Sequence, residues 1–142
     1  MKKLILAALV AGLMPMIASA QGTIAFSSAG PNNKVVDVGN VGVGAGYSAA
    51  LYWGVLGSVE ANLVQIGALT PVTAGGFLTV PATRTTGVAT PEGANATFQV
   101  RAWNGAFSTY EDALASGTSI LGKTALFTNG TGAPNGVPPS VP

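Results

Sequence analysis

Residues 117–124 read GTSILGKT and match the pattern of a phosphate-binding loop: Gly117, four residues, then Gly122, Lys123 and Thr124. Such a loop wraps phosphates with backbone N–H groups, directs its lysine at the outer phosphates and opens into a helix whose N-terminus faces the anion. It therefore needs a strand before it, a helix after it and a carboxylate to hold Mg²⁺. The order here is inverted. A helix signal ends at Gly117, the strand-like TALFT follows Lys123, and no Asp or Glu occurs after Asp112. The stretch reads as a helix stop, a loop and a turn into the last strand, and no nucleotide binding is expected.

FQVRAWNG carries a second chemistry. On a strand, Phe98, Val100 and Ala102 face one way, and Gln99, Arg101 and Trp103 face the other. An amide, a guanidinium and an indole on one outward face suit a sugar: its apolar face stacks on the indole while the polar groups bond hydroxyls. Tyr52, expected to be exposed, would add a further ring. The structural reading of the same residues is favoured: twist or a bulge near Asn104 and Gly105 turns Trp103 into the core. In that reading Arg101 pairs with Glu111 or Asp112 to pin a helix.

Other chemistries find little support. Glu111 and Asp112 are adjacent, but neighbours on a helix point about 100° apart. They cannot flank one glycosidic bond as paired carboxylates roughly 5 to 10 Å apart do. NNKVVDVGN offers Asn32, Asn33, Asp37 and Asn40, without the dense acidic spacing and distal Glu of a calcium loop, so these read as turn residues. The glycines of GNVGVGAG miss the dinucleotide fingerprint, because Tyr47 stands where the third glycine belongs. There is no histidine and no cysteine. That removes the commonest general base, the Ser–His and Cys–His pairs, nearly every zinc site and any disulfide. No cofactor and no enzymatic activity are expected.

Location is set by the first twenty residues. Lys2 and Lys3 precede fourteen apolar residues, Leu4 to Ile17, and Ala18-Ser19-Ala20 supplies a small-x-small cleavage pattern. This is the layout of a signal peptide, with Gln21 as the mature N-terminus. Beyond it four basic residues (Lys34, Arg84, Arg101, Lys123) face five acidic ones (Asp37, Glu60, Glu92, Glu111, Asp112). The basic balance of the whole chain thus comes from the signal, and no cationic footprint for nucleic acid or anionic lipid remains.

The elements that must position these residues are short. TIAFS, KVVDV, YSAALYWG, NLVQIGAL, GFLTVPA, ATFQVRAW and KTALFT alternate or cluster apolar residues between Gly, Pro and Asn punctuation. Regular short strands predict a mainly β domain, a single antiparallel β-sandwich of Ig-like or jelly-roll-like kind. STYEDALASG interrupts them with a capping box, Ser108 to Glu111, and predicts one short helix from Thr109 to Ser116. Tyr110, Ala113 and Leu114 would pack on the sheets, with Gly117 as the stop. The expected core is Phe26, Leu51, Trp53, Ile66, Phe98, Val100, Leu114 and Phe127. The expected organisation is signal 1–20, sandwich 21–130 and Gly/Pro-rich linker 131–142, a linker that would lead into further chain.

In this order the segments SAQGTIAFS, ALYWG, LVQIG, FQVRAW, TYEDALASG, GKTALF and PPSVP resemble small secreted proteins of verrucomicrobial and planctomycete-type bacteria. Some of that group carry a C-terminal PEP-type sorting anchor introduced by Val-Pro-Glu-Pro; PPSVP here lacks the Glu-Pro. The resemblance implies an exported β domain and transfers no functional residues. The expected role is therefore structural or interactive, at the cell surface or in extracellular matrix, with other surface proteins or polysaccharide as partners. Two alternatives stand beside it. One is a carbohydrate-binding module using Trp103, Arg101 and Gln99; the other is a filament subunit whose strand GTIAFS adds to a neighbour's sheet.

Overall fold

A computed structural model describes residues 21–28, 33–79 and 82–133. Residues 1–20, the expected signal segment, and residues 134–142 lie outside the described residues. Among the described residues, seven strands and one α-helix follow in order: β1 (Thr23–Phe26), β2 (Tyr47–Val55), β3 (Val64–Pro71), β4 (Ala82–Thr85), β5 (Asn95–Asn104), α1 (Tyr110–Ser116), β6 (Leu121–Lys123) and β7 (Phe127–Gly130). A 3-10 turn, Glu60–Asn62, joins β2 to β3.

The strands form two antiparallel sheets. Five strands run β3-β2-β5-β6, with β7 on the same edge of β5 as β6, and the second layer is the β1-β4 pair. The longest ladder joins β2 to β5 without a break, from Tyr47 opposite Asn104 to Val55 opposite Ala96. These two are the chain's richest runs of alternating aromatic and aliphatic residues, and pairing them stacks Leu51 on Val100 and Trp53 on Phe98.

Between the layers lies the main core. Ile24 and Phe26 from β1 meet Ala49, Leu51, Ile66, Phe98 and Ala102 from the large sheet, with Trp53, Val100 and Phe127 packed at its margin. Each large apolar side chain buried there contributes roughly 1.5 to 3 kcal/mol. Close approach fixes one glycine: a Cβ on Gly87 would lie 2.4 Å from the Trp53 ring, whose indole N–H donates to Thr90 Oγ1 at 3.2 Å.

Three expectations are corrected. KVVDV is not a strand: Val36 makes only an isolated bridge to Gly42, and Asp37 Oδ1 accepts from the N–H groups of Gly39 and Val41, closing a tight turn. GFLTVPA gives a bridge between Val72 and Leu78, and the strand itself starts later, at Ala82. KTALFT divides into β6 and β7, because Thr124 closes the ladder on Val100 by backbone and hydroxyl before the chain pairs again at Phe127. Hydrogen bonding within the domain runs on past residue 130: Thr131 is buried on the carbonyls of Pro91 and Ala94, and Gly132 pairs with Thr23.

Candidate functional site

The candidate residues converge on the second face of the large sheet. Alternation along β5 holds as the sequence predicts, so Gln99, Arg101 and Trp103 share the face opposite Phe98, Val100 and Ala102. On β2, Tyr52 joins them through its pairing with Gln99. That face is not open. Helix α1 lies across it, and Trp103, Tyr52, Ala50, Tyr110 and Ala113 form a second apolar cluster.

Helix α1 is short, and its ends are well defined. Thr109, not Ser108, is the N-cap: its side chain accepts from the Asp112 N–H at 3.1 Å, one residue later than the predicted box. Gly117 closes the helix in the left-handed region at φ 66, donating its N–H to the Leu114 carbonyl. Tyr110 and Ala113 turn inward as predicted. Leu114, expected in the core, is 57 % exposed. One inward position per turn is all that a seven-residue helix offers here, and Ala113 takes it at Leu114's expense.

Beneath the helix the polar groups are bonded to one another. Arg101, 5 % exposed, donates from Nε to Gln99 Oε1 at 2.8 Å, from Nη1 to Glu111 Oε1 at 2.5 Å and from Nη2 to the Glu60 carbonyl at 3.2 Å. Its guanidinium lies 4.0 Å from the centre of the Tyr52 ring, a cation–π contact. The Tyr52 hydroxyl donates to Glu111 Oε2 at 2.7 Å and accepts from the Tyr110 N–H at 3.3 Å. Gln99 Nε2 reaches the Thr124 carbonyl at 2.9 Å. Trp103 is fully buried, its indole N–H donates to the Phe107 carbonyl at 3.0 Å, and its ring meets Tyr110 edge-on.

Two expectations change here. Tyr52, expected outside, is 2 % exposed because α1 covers it. Trp103 is buried without the twist or bulge invoked to bury it: it keeps the Gln99–Arg101 face, and the helix comes to it. Arg101 does pair with Glu111, while Asp112 serves the cap instead.

A cleft of about 580 Å³ opens beside the network, lined by Glu60, Leu63, Arg101, Tyr110, Glu111 and Lys123 among others. Glu60 and Glu111, 51 positions apart in sequence, are brought to the same guanidinium, a meeting no local pattern announces. Their chemistry is not that of an acid/base pair. The bonds from Lys123 and Gln99 hold the Glu60 carboxyl below its ordinary value, so it stays ionised and has no proton to give near neutrality. Burial first, and then the bond to Glu111, push the Tyr52 phenol up to about 12, so it stays neutral and is no base. Among the described residues no three carboxylates gather as a metal site would need.

The GTSILGKT stretch takes its place around this site: Gly117 caps α1, Gly122 lies within β6, and Lys123 pairs with Glu60 at the surface. Comparison with known protein families, with characterised proteins and with solved structures gives no match.

Proposed function

We propose that this chain is an exported, non-catalytic β-sandwich module with a structural or interaction role at the cell surface or in extracellular matrix. One observation carries the reading. The side chains best suited to chemistry or sugar stacking, Gln99, Arg101, Trp103 and Tyr52, are all 5 % exposed or less and engage one another. The outer surface instead carries Leu56, Val59, Val64, Ile120 and Leu126, each at least 41 % exposed. Aliphatic surface of this kind suits protein contact. Docking of β1 on its own domain, with Ile24 and Phe26 buried, speaks against a filament built by donating that strand.

The test has two parts. N-terminal sequencing of the exported protein should begin at Gln21. Mature protein screened against soluble and insoluble polysaccharides should neither hydrolyse nor bind them. Polysaccharide binding that disappears in a folded Trp103→Ala variant would replace this reading with the carbohydrate-binding one.

A further inference from the structure

The large sheet ends at β6, which pairs with β5 on one side only. Antiparallel bonding alternates along a strand. The bonds from Asn104 N to Ile120 O at 3.1 Å and from Thr124 N to Val100 O at 2.9 Å make Ile120, Gly122 and Thr124 the inward-bonded positions. Leu121 and Lys123 therefore turn their N–H and C=O groups outward, and among the described residues none of these groups has a backbone partner there.

A trough follows this edge on the core-facing side of the sheet. Two cavities of about 240 and 540 Å³ share Val35, Val36, Ala102 and Gly122. The far wall is the ribbon 35–43, held by bonds from Val43 N to Val35 O and from Val35 N to Gly76 O. Val36, Val38 and Ile120 line it and are 41, 111 and 61 % exposed. The second layer is only two strands wide, and here the ribbon stands beside it, with Val35 and Val43 packed on the same core as Ala102. The trough's ends differ in charge. Lys34 stands at one, over the Phe77 ring and with no carboxylate partner among the described residues; Asp37 stands at the other.

From these features we infer that the β6 edge takes up an extended segment of a partner protein. That segment bonds to Leu121 and Lys123, lays alternate apolar side chains into the trough and carries a carboxylate where it reaches Lys34. Strand addition supplies the backbone bonds, and the pockets for every second side chain supply selectivity. The inference rests on the interaction-module reading and gives it a surface.

The experiment titrates ¹⁵N-labelled mature protein with the peptide acetyl-ETVTVT-amide, whose Glu and valines share one strand face, and with its lysine-ended counterpart, acetyl-KTVTVT-amide. The acidic peptide should shift the Leu121 and Lys123 amide signals and slow their hydrogen exchange at least about tenfold. The lysine-ended peptide should bind more weakly. A Cβ at Gly122 meets nothing within 4 Å, so Gly122→Phe should fold, fill the trough and abolish the effect. Should that variant misfold, Lys34→Glu, at an exposed site, should reverse the preference between the peptides. Unmoved Leu121 and Lys123 amides, equal binding of both peptides, or full binding by folded Gly122→Phe would overturn the inference. So would the same shifts on raising protein concentration alone, which would make the occupant a second copy. Peptide shifts confined to Leu56, Val59 and Leu126 would sink this edge and keep the module reading, whereas polysaccharide hydrolysis would sink that reading itself.

Discussion

The two faces of β5 are built from alternate residues of one strand, and both are buried, yet they hold differently. Towards β1, Phe98, Val100 and Ala102 need only shape and area. Towards α1, Gln99, Arg101 and Trp103 carry polar atoms that cost free energy unless each finds a partner. They find them in Glu111, Thr124, Phe107, the Glu60 carbonyl and, between Arg101 and Gln99, each other. A polar and aromatic strand face thus describes a ligand surface only while nothing covers it. Here a seven-residue helix does, and the same side chains become its clasp.

The largest effects test whether both faces are core. Phe98→Ala and Trp103→Ala should each lose about 3 to 5 kcal/mol in urea unfolding, as large aromatic truncations do. A Trp103→Ala loss within about 0.5 kcal/mol would mark a surface ring and break the symmetry. Next comes Arg101→Met, which keeps volume but removes the charge-assisted bonds to Glu111 and Gln99. It should cost about 2 kcal/mol, with the helix signal in circular dichroism weakened first.

Smaller effects sharpen the clasp. Thr109→Ala removes the N-cap and should cost about 1 kcal/mol by the same unfolding measurement. Tyr52 gives a pH signature. Folding favours its neutral phenol, so its contribution is complete below pH 10, the ordinary phenol value, and is lost as pH rises through about 12. The stability gap between wild type and Tyr52→Phe should therefore narrow across that window. A gap that stays constant would detach Tyr52 from the Glu111 network.

Much of this was legible in the sequence, and the limits have physical causes. Alternation placed Phe98, Val100 and Ala102 on one face of β5 and Gln99, Arg101 and Trp103 on the other, because a strand's period of two is local. The helix, its stop at Gly117 and the pairing of Arg101 with Glu111 follow from signals within a dozen residues. What covers each face is not local. The burial of Tyr52 depends on Glu111, 59 positions away, and the Glu60–Lys123 pair spans 63. The exposed Leu114 misled because helical spacing shows which side chains share a stripe but not how wide a stripe a short helix can bury. KVVDV misled because the side chain of Asp37 offered the backbone a turn in place of a ladder.

The most direct test of the clasp is the accessibility of the Trp103 ring. The chain has two tryptophans, so Trp53→Phe leaves Trp103 as the sole indole reporter. Its fluorescence should be blue-shifted, resist acrylamide quenching and remain unchanged by added polysaccharide. Red-shifted emission, quenched as freely as that of the urea-unfolded protein and shielded by polysaccharide, would contradict the account.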